Sequence, residues 1–412
     1  MVRKVTEVAG ELEFVPDGSI TTPAGFSAGA VHVGVRSDWD KLDVALLYSR
    51  RPCAAAGVYT SNSLKAAPVL VTQAHLADGR AQAVVANAGC ANAATGRQGL
   101  ENARKMAQLA AAKLGVDPHD VVVASTGVIG TQLPMDRIAA GIQGITLGPE
   151  GGIDFAKAIM TTDTVPKHAA VRCGRWTVGG VVKGVGMIHP NMATMLCFLT
   201  SDAPVDQALL AAALKRAVDA SFNMIDVDSD TSTNDTVVAL ANGLAGGDPI
   251  RGPGPAAKAF ERSLTAVCVD LAKAMVADAE GGSKVIEARV EGAASARDAR
   301  KAARGIVSSL GVKTAIYGED PNWGRILAAV GNSGARLDMD RVSLFLRLPN
   351  GGELCLYRDG GPLPFDAAQA KTCLTPREVH VRVHLGLGEN AATAWGSDLT
   401  ENYVRLNSLY TT

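Results

Sequence analysis

Thr194 sits where a hydroxyl could be turned into a nucleophile. It follows the small residue Ala193, behind the loop Lys183-Gly184-Val185-Gly186-Met187-Ile188-His189-Pro190-Asn191-Met192, and precedes the apolar run Met195–Leu199. A threonine hydroxyl needs a base beside it to attack a carbonyl at neutral pH. Cutting the Ala193–Thr194 bond supplies one, because the new α-amine can take the hydroxyl proton. Such an amine has a pKa of roughly 7.7–8, suited to a base working near neutrality.

A nucleophile of this kind also needs donors for the negative charge that develops on the attacked carbonyl. Ser125-Thr126-Gly127-Val128-Ile129-Gly130 follows the apolar run Val121–Ala124. A strand ending in Thr-Gly leaves a hydroxyl and a backbone N–H at its tip, which is what an oxyanion hole requires. Taken alone, the same pattern also describes an ordinary strand-to-turn junction. Asn87–Gly96 is a second small-residue loop after a buried strand, able to cradle a ligand or to let two loops pack. Cys90 within it has no histidine nearby in sequence and reads as an inert thiol. The polar stretch 222–236 lacks the glycine and glutamate of a calcium loop and reads as a hydrogen-bonded border to a polar site. Gly318–Arg325 reads as a surface turn or as a wall near a site or interface. Gly184-Val185-Gly186 lacks the third glycine of a dinucleotide fingerprint.

The elements that must hold these residues alternate short strands with amphipathic helices, an α/β pattern. Val44–Tyr48, Ala83–Asn87 and Val121–Ala124 read as buried strands, and Asn102–Leu114 as a helix stopped by Gly115. Apolar residues at helical spacing mark 206–220 and the longer segment 255–278. Alternation from Ile286 to Glu291 signals a strand, followed by a helix over 295–310 with Gly311 as its stop. Val342–Leu346 and Val379–Leu385 are late strands.

The 412 residues carry 40 basic and 41 acidic side chains, 47% hydrophobic residues, 4% aromatics and 44 glycines. This balance gives no electrostatic footprint for nucleic acid or an anionic membrane. No apolar run is long enough for a signal peptide or a span, so a cytoplasmic protein is expected. Seven scattered cysteines without a CxxC pair read as reduced thiols. His380 and His384, four apart on a strand, are too distant to share an ion, so no metal site is expected.

Together these segments resemble the ornithine acetyltransferase family, which shares members with the bifunctional glutamate N-acetyltransferases of arginine biosynthesis. The resemblance spans the chain. It runs through Ala55–Thr60, Lys65–Val69, Asn87–Gly96, Ser125–Gly130, Met160–Thr164, Lys183–Leu196, Asp230–Thr236, Gly318–Arg325 and Tyr403–Asn407, with Pro190–Leu196 as its most specific part. It implies a layered α/β sandwich of sheets between helices, like that of N-terminal-nucleophile enzymes, while the organisation of the chain itself suggests a smaller C-terminal lobe from about residue 285. It further implies self-cleavage at Ala193–Thr194 into chains 1–193 and 194–412 that stay together, two such pairs forming a heterotetramer.

Carried over to this sequence, Thr194 is the nucleophile, and the Thr126 hydroxyl and Gly127 N–H form the oxyanion hole. Thr161 or Thr162, Lys183, Glu280, Asn407 and the terminal Thr412 contact substrate, with Glu280 also handling protons. The implied reaction moves acetyl from N2-acetylornithine to glutamate through an acetyl-Thr194 ester. No cofactor is implied, and acetyl-CoA as an additional donor stays open. Val185, Asp226 and the tail Ser408–Thr412 depart from the family's pattern; the first two are expected to tune loop packing. Two other readings fit the residues: a related self-cleaving amidase or aminopeptidase, and a non-catalytic protein whose glycine-rich loops hold an anion.

Overall fold

The computed structural model describes residues 4–5, 12–36, 40–189 and 195–409. Ala193, Thr194 and Thr412 lie outside the described residues. Two sheets carry the architecture. The larger runs, in spatial order, through Lys4–Val5, Leu12–Phe14, Lys167–Cys173, Trp176–Lys183, Leu196–Ser201, Thr236–Ala241, Val44–Tyr59, Arg80–Asn87 and Val121–Ser125, with Phe26–Val31 also pairing with Val44–Tyr59. The smaller runs through Ile225–Asp226, Asn390–Ser397, Val285–Ala293, Glu378–His384, Ser343–Arg347, Glu353–Arg358 and Gly361–Pro362.

The apolar runs are strands because both of their faces are buried. Val121 and Val123 pack into one core with the helices Ala67–His75, Gly96–Leu114 and Met135–Gly144, while Val122 and Ala124 point into another with Phe155 and Phe198. Strands buried on both faces show continuous hydrophobicity rather than alternation. Leu196–Ser201 does the same: Leu196 and Phe198 join the inner core, and Cys197 and Leu199 meet the helices Gln207–Ala220 and Pro255–Ala277 on the opposite face. That third core continues into the smaller sheet, whose covering helix Ala296–Ser308 buries Ala299, Ala302, Ala303, Ile306 and Val307. The expected α/β layering of sheets with helices is met. Among the described residues no helix is long and apolar enough to cross a membrane.

Three local expectations change, the first being that the helix expected over Asn102–Leu114 already begins at Gly96. The strand expected over Val44–Tyr48 runs on to Tyr59, bent by a register shift between Tyr48 and Cys53. Its first half pairs with Phe26–Val31 and its second with Thr236–Ala241, so tertiary pairing carries it through the polar Arg50-Arg51-Pro52 stretch. The helix expected over 295–310 instead ends at Ser308. Ser309, in an extended conformation, caps a new helix, Leu310–Tyr317, and Gly311 lies inside it rather than stopping the previous one.

In the smaller sheet Glu287 accepts from Trp395 Nε1 at 2.8 Å and lies 3.2 Å from His380 Nδ1 and 3.3 Å from Lys273 Nζ. The His380 contact outweighs the opposing effect of burial, and with Trp395 and Lys273 it draws the Glu287 carboxyl down to about 2. A depressed folded-state pKa stabilises the fold above the carboxyl's ordinary value and ceases to do so as pH falls through about 2. Glu287→Gln is therefore expected to lose on the order of 2–3 kcal/mol at neutral pH. In denaturant titrations at stepped pH, the gap from the parent protein should shrink steadily below about pH 4.5. A gap independent of pH across that window would refute the assignment.

Candidate active site

Lys183 ends the strand Trp176–Lys183, and its partner across the ladder is Leu196, the first residue of the next strand. Leu196 in turn pairs in parallel with Thr236. The residues flanking the expected cleavage bond are thereby pinned: Met195 N–H donates to Asp235 Oδ1 at 2.8 Å, and Met195 O accepts from Thr236 N–H at 3.0 Å. On the other side, Asp228 accepts from both Met187 N–H (2.6 Å) and Ile188 N–H (2.9 Å), and His189 Nδ1 lies 2.9 Å from Asp226 Oδ2. Asp226 is fully buried and meets Lys313 Nζ at 3.1 Å, also fully buried. Asp226 thereby connects the loop at His189 to the helix Leu310–Tyr317. Burial pushes the Asp228 carboxyl up to about 6, against the pull of its backbone donors.

Thr126 and Gly127 follow the strand Val121–Ser125. Thr126 N–H donates to Asn87 O at 3.0 Å, and the Thr126 hydroxyl lies 3.2 Å from Lys183 Nζ. Gly127 has φ +127°, and a Cβ there would stand 2.3 Å from Gly89 C and 2.6 Å from Cys90 N. Only glycine lets the two loops approach this closely. The Gly127 N–H has no acceptor among the described residues. Asn87–Gly96 thus serves chiefly to pack against Thr126–Val128, although Ala91 also reaches the pocket. Cys90 is buried, its Sγ 3.0 Å from Thr131 O, and burial raises its pKa, as an inert thiol requires.

Lys183 is 2% exposed. Burial pushes its ammonium down, while the charges of Asp163 and Glu280 work the other way. Asp163 is held below the usual carboxylate range despite its burial, by Lys183, by Lys167 at 2.8 Å and by the Gly184 N–H at 2.9 Å. Glu280 follows the helix Pro255–Ala277 and donates its N–H to Val185 O at 2.9 Å. Its Oε1 accepts from the Thr162 hydroxyl at 2.6 Å, and its Oε2 from Asn407 Nδ2 at 3.0 Å. The bare Cα of Gly186 leaves room for this carboxylate, since a Cβ would lie 2.4 Å from Oε2.

One cleft gathers Thr126, Gly127, Thr161, Thr162, Lys183, Glu280 and Asn407. All the site residues expected from the sequence that fall within the described residues line it. Ser232, Thr233 and Asn234 form its far wall, so the polar stretch does border the site. Trp323 instead packs on Tyr357 beside the smaller sheet. Asp163, Asn234 and Asp235 went unnamed in the sequence reading, although they sit inside segments it singled out. The partners that tie them into the site are backbone groups remote in sequence: Gly184 N–H for Asp163, Ala91 O and Ser125 O for Asn234, and Met195 N–H for Asp235. The arrangement offers a buried cation, a carboxylate already bearing polar partners, and a free backbone donor around one space.

Residues 27–412 match the ArgJ family. The arginine biosynthesis bifunctional protein ArgJ of Symbiobacterium thermophilum is 54% identical over 403 residues, covering 96% of this chain and 99% of that protein. Its counterpart in Dehalococcoides mccartyi is 47% identical over 406 residues, with 97% and 99% covered. Among solved structures, ornithine acetyltransferase of Mycobacterium tuberculosis complexed with ornithine is 38% identical, covering 45% of this chain and 100% of that one, with a TM-score of 0.42. Matched almost end to end by its family and relatives, the chain belongs to the ArgJ family.

Proposed function

We propose that this protein is a self-processed acetyltransferase that moves acetyl from N2-acetylornithine to glutamate. The observation that carries the reading is the convergence on one cleft of Thr126, Gly127, Thr162, Lys183, Glu280 and Asn407, beside the strand that begins just after Thr194. Folding sets Thr194 Oγ against the Ala193 carbonyl; an N→O acyl shift and hydrolysis of the ester free the Thr194 amine.

In the mature enzyme that amine takes the Oγ proton as Oγ attacks the acetyl carbon. The Thr126 hydroxyl and Gly127 N–H hold the oxyanion. Collapse breaks the acetyl C–N bond, the Thr194 ammonium returns its proton to the departing nitrogen, and ornithine leaves an acetyl-Thr194 ester. Glutamate's amine attacks this ester, the C–Oγ bond breaks, and Oγ regains a proton. Lys183 meets a substrate carboxylate, and Glu280, oriented by Thr162 and Asn407, receives the substrate's cationic amine. Thr412 completes the substrate contacts, and acetyl-CoA serves as a second donor to the same threonine. The two chains stay associated and assemble as two pairs in the cytoplasm, without a cofactor.

Thr194→Ala is expected to give an intact 412-residue chain by mass spectrometry. Its acetyl transfer should fall by at least about 10³-fold, as for loss of a covalent nucleophile. Thr194→Ser should still cut itself. An uncut parent chain that is fully active, or a fully active Thr194→Ala variant, would sink the proposal. Net acetate release without acetylglutamate would reassign the protein as an amidase.

A further inference from the structure

We propose that the Asn234–Asp235 dipeptide is the positioning element that sets the Thr194 nucleophile in register with the oxyanion donors. The proposal rests on the function proposed above for Thr194, Thr126 and Gly127. The parallel ladder between Leu196–Ser201 and Thr236–Ala241 pairs Leu196 with Thr236, and one further backbone bond runs from Thr236 N–H to Met195 O at 3.0 Å. A side chain takes over there: Asp235 Oδ1 accepts the Met195 N–H at 2.8 Å. Because the peptide joining Thr194 to Met195 is planar, holding that N–H fixes the plane containing the Thr194 carbonyl and Cα. Asp235 is itself fully buried, and its own carbonyl accepts from Thr60 N–H at 3.0 Å.

The adjoining side chain grips the other half of the site. Asn234 Nδ2 donates to Ser125 O at 2.8 Å and to Ala91 O at 2.7 Å, and Asn234 Oδ1 accepts the Thr233 hydroxyl at 2.6 Å. Ser125 O belongs to the peptide plane that leads into Thr126, whose N–H is anchored on Asn87 O at 3.0 Å. Ala91 lies in the loop on which Gly127 packs. Two consecutive side chains therefore hold two peptide groups, the one that enters Met195 and the one that leads into Thr126. Neither residue needs to touch substrate through its polar atoms to matter, since a displacement of about 1 Å can cost on the order of 10² in rate.

Burial raises the Asp235 carboxyl well above its usual range, and Oδ2 has no partner among the described residues. An amide in its place keeps an oxygen to accept the Met195 N–H in the same space. The test measures kcat and KM for acetyl transfer from N2-acetylornithine to glutamate in the full-length protein, normalised to the cleaved fraction by intact mass. Asp235→Ala and Asn234→Ala should each lower kcat about 10²-fold with KM within about threefold. Asp235→Asn, which keeps an acceptor for Met195 N–H, should stay within about tenfold of the parent. Wild-type kcat in both alanine variants would overturn the proposal. So would Asp235→Asn as impaired as Asp235→Ala, because an acceptor for the Met195 N–H would then not suffice. If Asp235→Ala does not fold, Asn234→Ala and Asp235→Asn decide. Thr194→Ala in the same assay separates the two ideas. Inactive Thr194→Ala beside unimpaired alanine variants refutes positioning alone, whereas active Thr194→Ala refutes the nucleophile itself.

Discussion

On the proposed chemistry, Gly127→Ala is expected to lower kcat for acetyl transfer by about 10²–10³-fold, the loss typical of removing one oxyanion donor. The added methyl meets backbone, not a side chain that could swing away: Gly89 C at 2.3 Å, Cys90 N at 2.6 Å and Gly89 Cα at 2.7 Å. At φ +127° an L-residue is strained even without neighbours. The two loops must separate, and three hydrogen bonds resist: Thr126 N–H to Asn87 O (3.0 Å), Val128 N–H to Gly89 O (3.3 Å) and Ala91 N–H to Val128 O (2.9 Å). Yielding at any of them moves the Thr126 hydroxyl or the Gly127 N–H away from the reacting carbonyl. A loss of about 1–3 kcal/mol of stability should accompany it, as for overpacking elsewhere. Steady-state kinetics per cleaved chain, with a melting curve to show that the fold persists, tests this. A variant with parental kcat would remove Thr126–Gly127 from the chemistry.

That these residues share one cleft was legible because they lie at the ends of runs the sequence marks strongly. Val121–Ser125 is apolar throughout because both faces are buried, and the polar Thr126-Gly127 that follows has to fall at the edge of the sheet. Lys183 and Leu196 end and begin neighbouring strands for the same reason. What stayed hidden depends on contacts far apart in the chain. Asn407 reaches Glu280 across 127 positions, and Asn234 reaches Ser125 across 109. No local periodicity records such pairs. The length of Val44–Tyr59 was hidden for a related reason, since its second half is a strand only because Thr236–Ala241 pairs with it. Gly311 misled because the helix stop belonged to an extended serine two residues earlier.

Lys183→Met is expected to separate activity from stability. Burial is the dominant influence on this ammonium, and it exceeds the attraction of Asp163 and Glu280, so the folded protein disfavours the charge it holds. The described residues place the Thr126 hydroxyl 3.2 Å from Nζ but no carboxylate within ion-pair distance. Asp163 does not depend on Lys183 alone, because Lys167 lies 2.8 Å away and the Gly184 N–H donates to it. An apolar side chain of similar length should therefore be tolerated, as replacements of buried ions by hydrophobic groups often are. The melting temperature should stay within about 3 °C of the parent or rise, a gain of around 1 kcal/mol being worth a few degrees. The kcat/KM should nevertheless fall by at least about 10³-fold, close to 4 kcal/mol of transition-state stabilisation. On the proposed chemistry, the incoming substrate carboxylate supplies the partner that the fold withholds from Lys183, so the electrostatic cost of burying the ammonium is offset only when substrate is bound. Lys183→Arg should not restore activity, since the larger planar guanidinium does not match the position of a buried ammonium acting as a point charge. A collapse in melting temperature with catalysis retained in the surviving fraction would mean that Lys183 holds the fold and not the substrate.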